Sequence, residues 1–333
     1  MVSASVLLSP ASPNLAAPHL PRHNCAQQAD SLAPRYSDAF VVCLTLYVPA
    51  KSWVCHCPSM TATPGSCPAA TTAAPSASHP RFCSGGAAAA VSHGMVRPRL
   101  VLFGDSITQQ SFGPGGWGAA LADTYSRKAD VVVRGYSGYN TRWALFLIHH
   151  IFPIDDVAPP LATTIFFGAN DAALLGRTSE RQHVPVSEYK ENLRRIVNHL
   201  KDCSKSMVIV LITPPPVDEE GRERYARSLY GKNARKLPER TNEITGVYAA
   251  QCIELAREML IPCINIWSKM QETEGWGKLY LSDGLHLTPE GNAIVYKEVV
   301  QTLRNYGLKA EDMPYDFPHH SKIDGNCPEK AFQ

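Results

Sequence analysis

The chain has 333 residues, 44% of them hydrophobic and 19% charged, with a formal net charge of +2. That balance suits a globular protein with a sizeable core and excludes a strong electrostatic pull toward nucleic acid or anionic membrane. The longest apolar run, residues 39–48, is about half the ~18 residues needed to cross a bilayer, so no integral membrane segment is expected.

Composition shifts at Met95. The residues before it are crowded with Ala, Ser, Pro and Thr, hold Asp30 and Asp38 as their acids, and sustain no helix or strand period. Their prolines would break such a period. We read 1–94 as a segment outside the fold. Two origins stay open for it. A Ser- and Ala-rich, acid-poor leader resembles an organelle transit peptide, which would place the protein in a plastid, although its basic residues are sparse. The preferred reading makes Met95 the start of a cytoplasmic protein, because a strand-like run follows within five residues. A secretory signal is disfavoured by the missing basic n-region and by the lack of any Asn-x-Ser/Thr site. Cys55-His56-Cys57 has no second ligand pair at zinc spacing, so no metal is expected. Cys203, Cys252, Cys263 and Cys327 read as buried, reduced thiols.

From Met95 onward, strand-length apolar runs alternate with amphipathic stretches. The pattern predicts a strand at 100–103, a helix at 117–128, a strand at 130–134 and a helix at 141–151. A strand at 163–167 follows, then a helix at 186–202 whose Tyr189, Leu193, Ile196, Val197 and Leu200 recur at helical spacing. A strand at 207–212 leads into a long polar loop, 214–240. A helix at 242–259, a strand at 261–266 and a helix at 289–305 complete the pattern, the last with Thr288 as N-cap and Pro289 in its first turn. Strands without in–out alternation, each separated by a helix, argue for a parallel sheet covered on both faces. The expectation is an α/β fold, a flavodoxin-like three-layer α/β/α domain with a five-stranded parallel sheet over 95–308, followed by a tail at 309–333. Such sheets present ligands at the carboxyl ends of their strands.

The chemistry-bearing residues fall at those ends. Ser106 follows the first strand within Gly104-Asp105-Ser106-Ile107-Thr108, either as a nucleophile near a helix N-terminus or as part of an ordinary polar turn. Gly138, after the second strand, could offer a backbone N–H to an oxyanion where no Cβ intrudes, or simply make a tight turn. Asn170, after the third, could donate its amide or act as an Asx cap. Asp283 and His286 sit at a spacing that lets one turn carry the carboxylate to imidazole Nδ1–H; a surface pair or two metal ligands is the alternative. Taken together and in order, these supply a nucleophile, oxyanion donors (Ser106 N–H, Gly138, Asn170) and a base with its orienting carboxylate, which is what ester hydrolysis through an acyl-enzyme requires. Asp105 and Asp171 are expected to hold their own loops through local backbone N–H groups. Trp117 could line an acyl pocket or pack in the core. The charged run 218–227 could cover the site like a flap, but a solvated loop is the preferred reading.

The ordered set resembles the GDSL branch of the SGNH hydrolase superfamily. The four letters of that name fall on Ser106, Gly138, Asn170 and His286, in Phe-Gly-Asp-Ser-Ile-Thr, Arg-Gly-Tyr-Ser-Gly-Tyr-Asn-Thr, Gly-Ala-Asn-Asp and Asp-Gly-Leu-His-Leu-Thr. Within it, Leu-Phe-Gly-Asp-Ser-Ile-Thr-Gln-Gln-Ser-Phe and Thr-Pro-Pro-Pro-Val-Asp-Glu-Glu-Gly-Arg are similar to the isoamyl acetate-hydrolysing esterase group, plant esterase/lipases included. The resemblance covers Met95 to about Tyr306. It implies a Ser106–His286–Asp283 triad acting on small carboxylic esters, acetates first, with no metal or cofactor. Three rivals remain: a deacetylase of acetylated polysaccharide, an inactive binding protein on the same fold, and a nucleotide-binding module, which would need a Gly-x-Gly-x-x-Gly loop that Gly104-Asp105-Ser106 does not supply.

Overall fold

The apolar runs become strands β1 (Arg99–Gly104), β2 (Asp130–Gly135), β3 (Ala162–Phe166), β4 (Val208–Ile212) and β5 (Cys263–Ile264) in a computed structural model that describes residues 97–234 and 237–333. The expectations for 1–94 (the leader, the start at Met95, and Cys55-His56-Cys57) lie outside the described residues. All pairings are parallel and the order is β2-β1-β3-β4-β5. This is the flavodoxin-like arrangement expected from the alternation of strand and helix.

Successive side chains of a strand point to opposite faces, and here both faces are buried. Leu100, Leu102, Phe166, Val210 and Ile212 enter one core. They meet Leu121 of α2 (Trp117–Thr124), Ile266 and Met270 of α7 (Ile266–Gln271), and Val295, Val299 and Leu303 of α9 (Pro289–Asn305). Val101, Phe103, Ile165, Ile209 and Leu211 enter the other. That core holds Ala144 and Ile148 of α3 (Thr141–Ile151), the apolar stripe of α4 (Val186–Cys203) and Tyr248 and Leu255 of α6 (Asn242–Met259). Each fully buried aliphatic side chain contributes roughly 1.5–3 kcal/mol relative to exposure, so the alternation along every strand ties two helical layers to one sheet. Trp117 is fully buried, against Phe166 in the first of these cores.

Helix starts follow the side chains available. Asn140 Oδ1 accepts Trp143 N–H at 2.9 Å and Thr288 Oγ1 accepts Gly291 N–H at 3.1 Å, each satisfying a first-turn donor. Three stretches depart from the sequence pattern. The helix expected to reach 128 ends at Thr124, where Tyr125 closes it and Arg127, at φ 63°, turns the chain into β2. The apolar run 261–266 pairs only over Cys263–Ile264, because Asn265 Oδ1 accepts Ser268 N–H and starts α7. The polar stretch 214–240 is not a loop throughout: Glu219–Tyr230 is helix α5. Only Gly221 of α5 is buried, so no apolar stripe announced it. Its support comes from Glu219 and Glu220 in the first turn and the i,i+4 pairs Glu220–Arg224 and Glu223–Arg227. Two shorter helices, α1 (Ser106–Gln109) and α8 (Trp276–Tyr280), also lacked a periodic signal.

The segment beyond α9 lies on the body of the molecule. Leu308, Ala310 and Met313 join the first core, and Asp316 accepts from Arg97 Nε at 2.8 Å and Arg127 Nε at 3.2 Å. Cys203, Cys252, Cys263 and Cys327 are free thiols; of these only Cys252 is buried, the others being half-exposed. Among the described residues, no helix is long and apolar enough to cross a membrane, and no cluster of three or more His, Cys, Asp or Glu side chains could hold a metal ion.

Candidate active site

The register of the sheet brings the expected residues to one edge. Gly104 at the end of β1 is level with Gly135 of β2 and Phe166 of β3. Ser106, Gly138 and Asn170 therefore lie a few residues beyond a common rung, on three adjacent loops. Ser106 is the first residue of α1. Asp105 caps that helix by accepting Ile107 N–H at 3.0 Å. The Ser106 N–H belongs to the first turn, whose donors have no partner within the helix.

Asp283 and His286 arrive from the other end of the chain on a closed turn. Leu281 and Leu287 form an antiparallel bridge, and Ser282 N–H donates to the His286 carbonyl at 2.8 Å. Inside the turn, Asp283 Oδ1 accepts the N–H groups of Leu285 and His286 at 3.0 and 2.8 Å. Asp283 Oδ2 meets His286 Nδ1 at 2.8 Å, and His286 Nε2 lies 3.0 Å from Ser106 Oγ. An imidazole that donates Nδ1–H to a carboxylate leaves Nε2 as acceptor for the hydroxyl. Burial pushes the Asp283 carboxyl up, but the hydrogen bonds from His286 and the nearby charges of His286 and Arg222 outweigh it and hold the group well below the usual carboxylate range.

Gly138 has φ +78°, a conformation an L side chain rarely adopts. Its carbonyl accepts Gln182 Nε2 at 3.0 Å. Asn170 is not an Asx cap: its Nδ2 donates to the Tyr139 carbonyl at 2.9 Å, joining the third loop to the second. One Nδ2 hydrogen remains for another acceptor.

Two carboxylates beside the site are buried. Asp105 behaves as expected, bonding its own loop. Burial pushes its carboxyl up to about 7, against the Ile107 N–H bond and the charges of His286 and Arg240. Asp171 corrects the expectation of a purely local role, since it accepts Thr141 N–H and Oγ1–H at the start of α3. Burial likewise raises it to about 7, opposed by the Thr141 bonds and reinforced by the Asp105 charge.

Sequence reasoning passed over a chain of charges within the 214–240 stretch. Arg222 of α5 donates Nη1 to Asp283 Oδ2 at 2.9 Å and Nη2 to Glu239 Oε1 at 2.6 Å. Glu239 in turn lies 3.5 Å from Arg240, whose guanidinium reaches Asn170 Oδ1 at 3.1 Å. The run 218–227 is thus the N-terminal part of a largely exposed helix, with its N-cap Asp218 and with Gly221 and Arg222 set against the Asp283 turn. Gly284 makes that approach possible. With φ +81°, it admits the Asp218 carbonyl and Arg222 N–H into the space a Cβ would occupy. A groove of about 600 Å³, walled by Tyr225, Leu229 and Leu237, is also lined by Arg222 and Glu239. Nothing but charge in a polar stretch marked these residues in the sequence.

A family model and curated relatives point to one family. Residues 100–299 match the model of the GDSL-like lipase/acylhydrolase family. A GDSL esterase/lipase of Arabidopsis thaliana is 69% identical over 238 residues, covering 72% of this chain and 98% of its own. The isoamyl acetate-hydrolyzing esterase 1 homolog of Mus musculus is 40% identical over 244 residues, 72% of this chain and 94% of its own. Among solved structures, a lipase/acylhydrolase from Enterococcus faecalis aligns at TM-score 0.49 and 24% identity, over 62% of this chain and 96% of its own.

Proposed function

Since the chain belongs to the GDSL-like lipase/acylhydrolase family and is a carboxylic ester hydrolase, we propose that it cleaves small, short-acyl esters through a Ser106–His286–Asp283 triad. The observation that carries this reading is the line of contacts from Ser106 Oγ to His286 Nε2 at 3.0 Å and from His286 Nδ1 to Asp283 Oδ2 at 2.8 Å.

In the first step His286 takes the Ser106 proton as the oxygen attacks the ester carbonyl. Negative charge develops on the former carbonyl oxygen, and the Ser106 N–H, the Gly138 N–H and the free Asn170 Nδ2 hydrogen stabilise it. The imidazolium, stabilised by Asp283, then protonates the leaving alcohol and leaves an acyl-enzyme. Water repeats the sequence, releases the acid and restores Ser106. The short-acyl preference is supported by the 40% identity to a relative whose name specifies isoamyl acetate.

A fluorophosphonate probe and p-nitrophenyl acetate test the reading. Wild-type protein should be labelled at Ser106 and should turn over the ester. Ser106→Ala should abolish labelling and lower kcat by roughly 10⁶-fold, as loss of the nucleophile does in another triad hydrolase. A Ser106→Ala protein as active as wild type removes the assignment.

A further inference from the structure

Arg240 is the most deeply buried cation near the site, 4% exposed. A charge so placed is costly unless its hydrogen bonds are met, and burial pulls its guanidinium below the ordinary range. Its carboxylate neighbour, Glu239, lies at 3.5 Å and is engaged mainly by Arg222 at 2.6 Å and by Ser179. What satisfies Arg240 is a set of neutral oxygens: the Ala169 carbonyl at 2.6 Å, Asn170 Oδ1 at 3.1 Å and Gln182 Oε1 at 2.5 Å.

A guanidinium only donates. Both amides that face it must therefore turn their oxygens toward it and their NH2 groups away. For Asn170 that directs Nδ2 to the Tyr139 carbonyl at 2.9 Å; for Gln182 it directs Nε2 to the Gly138 carbonyl at 3.0 Å. Both bonds end on the same turn, 138–139. One buried cation thus orients the Asn170 amide and restrains the loop that carries the Gly138 N–H. Donation into Asn170 Oδ1 also polarises that amide, which strengthens its N–H as a donor.

We propose that Arg240 is a positioning residue of the oxyanion hole, acting through Asn170 and, by way of Gln182, through the Gly138 turn. This rests on the esterase reading above. A residue needed for packing alone would be served as well by an apolar side chain of similar volume; the arrangement of three directed donors on two amides and a carbonyl would not.

The test is a double-mutant cycle on p-nitrophenyl acetate with wild type, N170A, R240Q and the double variant, each checked for folding by thermal melt. R240Q should lower kcat about 10²-fold, near the loss of one oxyanion donor, with KM within about threefold of wild type. In the N170A background the same substitution should cost less than about tenfold, because only the route through Gln182 and the Gly138 turn remains. Wild-type kcat in R240Q, or costs that multiply in the double variant, would overturn the proposal. If R240Q does not fold, R240K carries the same cycle, since lysine keeps the charge but lacks the planar fork. Its expected loss is about tenfold, again smaller without Asn170. S106A, run alongside, separates the two readings. An inactive S106A with a multiplicative cycle sinks the Arg240 proposal alone, whereas an active S106A sinks the esterase reading and the proposal with it.

Discussion

Arg222 Nη1 lies 2.9 Å from Asp283 Oδ2, the same oxygen that meets His286 Nδ1 at 2.8 Å. The carboxylate is thereby held from two sides, by the imidazole it orients and by a guanidinium from α5. The second contact fixes the Asp283 rotamer and favours its ionised form, which in the proposed mechanism would keep the carboxylate turned to the imidazole of His286.

Arg222→Gln should lower kcat/KM about tenfold. Hydrogen bonds to charged groups are worth roughly 1.5–3 kcal/mol, and part of that reaches the reacting imidazole through the carboxylate. Steady-state kinetics on p-nitrophenyl acetate measures it. A variant with wild-type kcat/KM shows that Asp283 needs no second clamp.

Asn170→Ala should cost roughly 10²–10³ in kcat, the loss of one oxyanion donor, while fluorophosphonate labelling persists at a reduced rate because Ser106 and His286 are untouched. The melting temperature should fall too, since the Tyr139 carbonyl and Arg240 each lose a partner. Unchanged kcat would exclude Asn170 from the oxyanion hole.

Gly284→Ala tests whether α5 must press on the Asp283 turn. A non-glycine residue at φ +81° carries a backbone cost on the order of 1–3 kcal/mol, and its Cβ would push back the Asp218 carbonyl and Arg222 N–H. Urea denaturation should show the loss, and kcat/KM should fall at least as far as in Arg222→Gln. A stable, fully active variant would mean that the turn and helix can separate without consequence.

The buried pair Asp105 and Asp171 predicts how stability depends on pH. Both carboxyls are raised to about 7 in the folded protein from an ordinary value of 3.8. Between roughly pH 4 and 7 the folded state therefore binds more protons than the unfolded one, so stability falls as pH rises through this window. Asp283 and Glu239 are held below their ordinary values; the stability they confer is lost only at more acidic pH. Urea midpoints should be higher at pH 5 than at pH 7. Asp105→Asn, which keeps an acceptor for Ile107 N–H, should reduce the slope, and a wild-type slope in that variant would contradict the assignment.

Sequence pattern captured the parts of this fold that depend on local order. The stripe of α4, the Thr288 cap and the runs of β1 to β4 each carry their signal within a few residues. The rest depended on partners distant in the chain. The apolar run 261–266 reads as one strand until Asn265 turns back on Ser268. Helix α5 has no apolar stripe, and what it packs on is a glycine more than sixty residues away. For the candidate site, Ser106, Gly138 and Asn170 were marked by short motifs at strand ends, and Asp283 and His286 by their own spacing. Arg222 and Arg240 were not, because a buried arginine in a polar stretch looks like a solvated one until the fold supplies Asp283, 61 residues on, and Asn170, 70 residues back.

The bridge between Leu281 and Leu287 has a consequence for how the enzyme should fail. His286 and Asp283 ride together on one latched strip of chain, while the Ser106 hydroxyl sits at the sheet edge 180 residues earlier. Thermal loosening will therefore part the molecule along the seam between serine and imidazole, and the histidine–aspartate couple will drift away intact.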